Sequence, residues 1–97
     1  MRISHIHQDA HITGQVNKHN RLNQQKKLLV LLRSARIDAG LTQAQLAARL
    51  DQDQTFVSKY ESAERRLDIL ELWEVCHEIG IDFVAFIGRL DQELRSE

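Results

Sequence analysis

The twenty residues from Thr42 to Glu61, TQAQLAARLDQDQTFVSKYE, constrain this chain more than any other stretch, because they hold two short helices and almost nothing between them. Thr42 stands three positions before Gln45, the pattern of a capping box, and Leu46, Ala47 and Leu50 recur at helical period, so a helix starts at about Gln43. Asp53 can cap a second helix by accepting from the free amides that follow, and the apolar face of that helix is Val57 and Tyr60. Only Asp51 and Gln52 separate the two. So short a corner holds the helices at a steep angle and defines a helix-turn-helix over 42–61, whose second helix turns Gln54, Thr55, Ser58 and Lys59 outward. Those side chains suit base edges and phosphates.

Ninety-seven residues with 42% hydrophobic content make one small domain, near the lower end of what buries a self-sufficient core, which favours help from a second subunit. The net charge of −1 argues at first against a nucleic-acid partner, yet the charge is unevenly placed. Residues 1–40 carry seven Lys or Arg against two Asp or Glu, residues 41–66 four against four, and residues 67–97 two against eight. A bound polyanion would therefore lie along the N-terminal and helix-turn-helix side, with the acidic C-terminal part turned away. The single cysteine, Cys76, excludes an internal disulfide and four-cysteine metal frameworks and fits a reducing compartment. No apolar run approaches the roughly 18 residues of a membrane span. The first residues, MRISHIHQDA, lack a signal peptide's apolar core, so a cytoplasmic protein with no membrane partner is expected.

Residues 1–20 are polar, hold four of the five histidines and show no sustained period, which reads as a mobile arm ahead of a domain spanning 21–97. His5, His7 and His11 have no cysteine or carboxylate set at ligand spacing, so neither a metal nor a cofactor is expected. The alternation of Ile3, His5 and His7 with Ser4, Ile6 and Gln8 would suit a short strand paired with its copy in a dimer, and Arg2, Lys18 and Arg21 would suit an arm laid along a DNA groove. From about Arg21 to Ala39, Leu28, Leu29, Leu31, Leu32, Ala35 and Ile37 predict a long first helix stopped by Gly40, its apolar side covering the back of the two-helix unit. Arg36, in the last turn of that helix, complements the dipole and can also pair with Glu61.

Arg65 and Arg66 follow the second helix of the motif and are well placed for phosphates. Asp68 with Glu71 is a second capping box, opening a fourth helix with an inner face of Leu72, Val75, Cys76 and Ile79 before Gly80 ends it. Asp82 starts a fifth. Its stripe of Phe83, Phe86, Ile87, Leu90 and Leu94, together with Trp73, is more apolar surface than so small a domain can hide, and points to a two-fold dimer contact over 68–95.

Three segments in register, RSARIDAGLTQAQLAARL, QTFVSKYESAERRLD and ELWEVCHEIGID, resemble the phage repressor and Cro type of helix-turn-helix, the XRE family, over about Leu29 to Leu90. The resemblance implies an all-α, lambda-repressor-like bundle of five helices whose third helix enters the major groove. It implies that Gln43 reaches a phosphate and braces Gln54, that Gln54, Thr55 and Lys59 contact bases, that Ser58 occupies a variable position, and that Arg36 pairs with Glu61. The expected backbone contacts are Thr42, Gln43, Arg36, Arg65 and Arg66. Chemically, Gln54 can pair two ways with adenine, Lys59 can donate to guanine O6 and N7, and the Thr55 methyl can meet a thymine methyl. Three positions depart from the family. Asp51 and Ala63 stand where glycine takes a positive φ cheaply, and Asp53 replaces the usual Ser or Thr cap with a charge that opposes a phosphate backbone.

The expected function is that of a sequence-specific DNA-binding regulator, a repressor acting as a dimer on a two-fold operator with half-sites roughly 34 Å apart. The alternative is an antitoxin or adaptor whose acidic, aromatic C-terminal surface grips a partner protein such as a toxin. No enzyme is expected: Cys76 lies on an apolar helix face, His77 points about 100° away from it, and Glu74 with Glu78 is a solvated i, i+4 pair.

Overall fold

Four of the five described helices are stopped by the same local device, and those stops dictate how the helices meet. The computed structural model describes residues 18–96 and shows five helices: α1 (Lys18–Asp38), α2 (Gln43–Arg49), α3 (Gln54–Glu61), α4 (Ile69–Ile79) and α5 (Phe83–Arg95). After α1, Leu41 N donates to Arg36 O and Gly40 N to Ile37 O, with Gly40 at φ 76°. After α2, Gln52 N donates to Ala47 O and Asp51 N to Ala48 O, with Asp51 at φ 57°. After α3, Glu64 N donates to Lys59 O and Ala63 N to Tyr60 O, with Ala63 at φ 69°. These are Schellman closures, which satisfy the last carbonyls by placing one residue in the left-handed region. Gly80, at φ 92°, ends α4 with the same pair of bonds, from Ile81 N to Cys76 O and from Gly80 N to His77 O. Asp51 and Ala63 thus adopt the positive φ that their family position suggested, and do so with a Cβ.

Helix starts follow the sequence in three cases out of four. Thr42 Oγ1 accepts from Gln45 N while the Gln45 side chain accepts from Thr42 N, and Asp68 with Glu71 forms the same reciprocal box. Asp82 accepts from Ala85 N at 2.8 Å. Asp53 is the exception: it sits at the N-cap of α3 in extended conformation but makes no side-chain cap bond, so its carboxylate is not quenched by the helix amides. Two boundaries also move. The first helix begins at Lys18, within the stretch read as an arm, because nothing from Lys18 to Asn20 breaks a helix and such residues extend one at little cost. The corner between α2 and α3 is Leu50 to Asp53 rather than two residues, since the Schellman closure consumes Leu50 and Asp51. Arg2, His5, His7, His11 and the proposed strand lie outside the described residues.

The core joins all five helices. Leu29 and Leu32 of α1, Leu46 and Ala47 of α2, Val57 and Tyr60 of α3, Leu72, Val75, Cys76 and Ile79 of α4, and Phe86 of α5 are buried together with Leu41. Helices of seven and eight residues are too short to persist alone, so α2 and α3 exist because α1 and α4 cover them. Two long cationic side chains tie helix ends across the bundle: Lys27 Nζ donates to Glu93 O at 2.8 Å and Arg49 Nη1 to Glu78 O at 3.0 Å. Both acceptors are last-turn carbonyls, where a cation also opposes the helix dipole.

Phe86 corrects the dimer set read from the sequence, because it is 7% exposed and belongs to the core. Phe83 and Ile87 pack half-buried against that core, and Leu90 and Leu94 are also half-buried. Trp73 is half exposed, and the apolar residues left open beside it in chain position are Ile69, Leu70 and Val84. A helical stripe defines a direction only about its own axis, and packing decides which part of it is covered.

A left-handed alanine is strained by about 1–2 kcal/mol, while glycine surrenders roughly 0.5–1 kcal/mol of chain entropy. Ala63→Gly should therefore raise stability by roughly 0.5–1 kcal/mol in urea unfolding. Asp51→Gly should gain less, since a short polar side chain tolerates the left-handed region better.

Candidate nucleic-acid interface

The orientation of α3 rests on one buried ion pair. Arg36, 7% exposed near the end of α1, donates from Nε to Glu61 Oε2 at 2.8 Å and from Nη2 to Glu61 Oε1 at 3.1 Å. Its Nη1 donates to Leu41 O at 2.8 Å, so one guanidinium joins the end of α1, the connection leading to α2 and the last residue of α3. Gln43 completes the cluster by donating from Nε2 to Glu61 Oε1 at 2.9 Å. Gln43 thus braces Glu61, not Gln54 as the resemblance implied. Its amide nitrogen carries a second hydrogen, so the same side chain can still reach an anion at the start of α2.

With its end held, α3 leaves Gln54, Thr55 and Lys59 exposed. Ser58 is half-buried and its hydroxyl donates to Thr55 O at 3.2 Å, which turns it onto its own helix. The opposite face of α3 carries Val57 and Tyr60, both fully covered. Phe56 lies between the two faces, edge-on to Tyr60 with ring centres 5.7 Å apart. The Tyr60 hydroxyl is buried without a hydrogen-bond partner, and its pKa is pushed up, first by burial and then by neighbouring Glu61, so the ring stays a neutral core group.

The two arginines after α3 part company. Arg66 is exposed, whereas Arg65 donates from Nη1 and Nη2 to the two oxygens of Glu71 at 3.1 and 2.7 Å and from Nη1 to Arg66 O at 3.1 Å. Its guanidinium also lies 4.6 Å from the centre of the Phe56 ring. The Glu71 carboxyl is held below its ordinary range, first by the bonds from Arg65 and then by the Asp68 amide. Sequence spacing gave no sign of this pairing, since residues 65 and 71 face each other only after a loop and a cap.

Cys76 is a buried free thiol whose pKa is pushed up to about 11 by burial, so it is a packing group at neutral pH. Among the described residues no cluster of His, Cys, Asp and Glu could hold a metal ion, and no helix is long and apolar enough to cross a membrane.

Two short helices at a corner, the second with a covered back and a polar front, define a helix-turn-helix reader of the DNA-binding kind. The helix-turn-helix family matches residues 32–86, and the chain belongs to it, as a member of the XRE group of DNA-binding transcription regulators. Among solved structures it is similar to an XRE-family like protein from Pseudomonas syringae pv. tomato, with 46% identity over 78% of this chain and 93% of that one, at a TM-score of 0.75. It is also similar to the restriction-modification controller protein C.Esp1396I, with 26% identity over 76% of this chain and 96% of that one, at a TM-score of 0.69. That controller has been solved as a tetramer in complex with its natural 35 base-pair operator, a structure 27% identical over 73% of this chain and 93% of that one, at a TM-score of 0.66. No curated protein matches the chain.

Removing one partner of a buried ion pair strands the other charge, which costs about 3–5 kcal/mol. Glu61→Ala should lose about that much in urea unfolding, whereas Lys59→Ala, on the exposed face two positions earlier, should leave stability nearly unchanged.

Proposed function

We propose that this protein is a transcriptional repressor that binds a two-fold operator as a homodimer, with α3 in the major groove. The observation that carries the reading is the exposed trio Gln54, Thr55 and Lys59 on a helix whose end is clamped by the buried Arg36–Glu61–Gln43 cluster. A reader must present its side chains in one fixed register, and a buried, four-bond cluster supplies that rigidity. In this reading Gln54 pairs with adenine, Lys59 donates to guanine, and the Thr55 methyl meets thymine. Thr42, Gln43 and Arg66 hold phosphates, and Arg36 braces. Dimerisation uses the C-terminal half, where Trp73, Ile69, Leu70 and Val84 are open and the half-buried Phe83, Ile87, Leu90 and Leu94 flank them in sequence. The controller C.Esp1396I assembles on its operator, which supports an oligomer on DNA here. Occupying a duplex excludes other proteins from it, so repression follows from binding alone.

Selection of bound duplexes from a random pool should return a two-fold sequence with half-sites about 34 Å apart, and affinity should fall steeply with added salt. Gln54→Ala should cost about 1–3 kcal/mol and relax choice at a single base pair. Equal loss on every sequence would contradict base reading by Gln54, and salt-independent or absent binding would end the reading altogether.

Asp53 offers a second check from the same geometry. Asp53 sits at the N-cap of the proposed reading helix with no cap bond, so Asp53→Ser removes a repelling charge and supplies a cap hydroxyl. Binding to all duplexes should tighten and the melting temperature should rise; an unchanged affinity would put Asp53 remote from any phosphate.

A further inference from the structure

Arg65 and Arg66 share a loop and a charge, yet their surroundings assign them different work. We infer that Arg65 is a positioning residue that couples α3 to the N-terminus of α4, and that Arg66 alone of the two meets a phosphate; this rests on the reading that α3 reads base edges. Arg65 reaches in three directions at once. Its fork grips both oxygens of Glu71, in the first turn of α4, at 2.7 and 3.1 Å. Its guanidinium carbon lies over the Phe56 ring in α3, 4.6 Å from the ring centre. Its Nη1 also holds the carbonyl of Arg66, which fixes the backbone from which the exposed Arg66 side chain departs.

Phe56 carries the restraint inward. It meets Tyr60 edge-on at 5.7 Å, and Tyr60 is fully buried next to Glu61, the anchor of the helix end. One end of α3 is therefore set by Arg36 and Glu61, and the first turn, where Gln54 and Thr55 lie, is set through Phe56 by Arg65. Glu71 is itself fixed, because its Oε1 accepts from Asp68 N at 3.0 Å in the capping box. The loop between them closes on a left-handed alanine, so it has no glycine to relax through.

This arrangement demands arginine. Lysine keeps the charge but has neither the two-pronged fork for a carboxylate nor a flat face to lie on an aromatic ring. A phosphate contact, by contrast, tolerates lysine as a point charge. Glu71→Gln is the matching change on the other side: glutamine keeps the capping box and loses the ion pair.

The test uses the full chain and a duplex selected from a random pool, titrated by fluorescence anisotropy at several salt concentrations. Arg65→Lys and Arg65→Ala should weaken binding by the same factor, about fivefold, with the salt slope unchanged, and Arg66→Ala should lower the slope by about one. Glu71→Gln should weaken binding as well, although it removes a negative charge that simple electrostatics would have it gain from losing. Arg65→Lys binding like the unmodified chain, a slope reduced by about one for Arg65→Ala, or tighter binding by Glu71→Gln would each overturn the assignment. Amide exchange in the free chain decides the coupling without DNA. Arg65→Lys and Glu71→Gln should speed exchange in the first bonded amides of α3 and leave α1 unchanged, and unaltered exchange in α3 overturns the proposal. Should the unmodified chain bind no duplex, the DNA reading fails and the exchange measurement still judges the coupling.

Discussion

The Arg36–Glu61 pair is the contact on which the arrangement of the helices depends, since it joins residues 25 positions apart at the only place where the ends of α1 and α3 and the start of α2 converge. Taking both charges out of water is expensive, and the pair is favourable only because its donors and acceptors are engaged: two bonds between the partners, one to the Leu41 carbonyl and one from Gln43. An apolar contact of the same volume could hold the helices together equally well. Packing of Val57 and Tyr60 sets which face of α3 is covered, and the forked guanidinium adds a directional restraint at the end of the helix. A helix that reads base edges needs its rotation fixed.

The backbone contributes its own constraint. Four consecutive helices end by the same closure, and two of those closures place a residue with a Cβ in the left-handed region. Asp51 and Ala63 flank α3, so the strained positions lie at both ends of the reading helix and nowhere else among the described non-glycine residues. Strain of this kind persists where surrounding structure over-determines it. Here that structure is the core around Val57 and Tyr60, the Arg36 cluster at one end, and the Arg65 guanidinium over the Phe56 ring at the other.

Several features were legible residue by residue. The capping boxes at Thr42 and Asp68, the stops at Gly40 and Gly80, and the inner face of α4 depend on neighbours three or four positions away, and those are the interactions a linear pattern contains. The exposed side chains Gln54, Thr55 and Lys59 follow from Val57 and Tyr60 being the covered ones. Others were not legible. Asp53 has the right type and place for a cap but no bond to the helix amides, a matter of side-chain direction. Phe86 and Leu94 belong to one stripe, yet the first is buried and the second half-open, because only the part of α5 facing the bundle is covered.

The amino-acid sequence by itself determined that this chain makes five helices with a helix-turn-helix at 42–61, which helix faces are apolar, and which family it belongs to, because caps, stops and helical period are short-range. The Arg36–Glu61 pair was also expected from the sequence, and tertiary structure decided the other polar partners. Gln43 turns to Glu61, Arg65 to Glu71 and Phe56, and Arg36 to three acceptors at once. A polar side chain in a sequence has no direction, and it acquires one only when folding brings its partner into contact and removes the water between them.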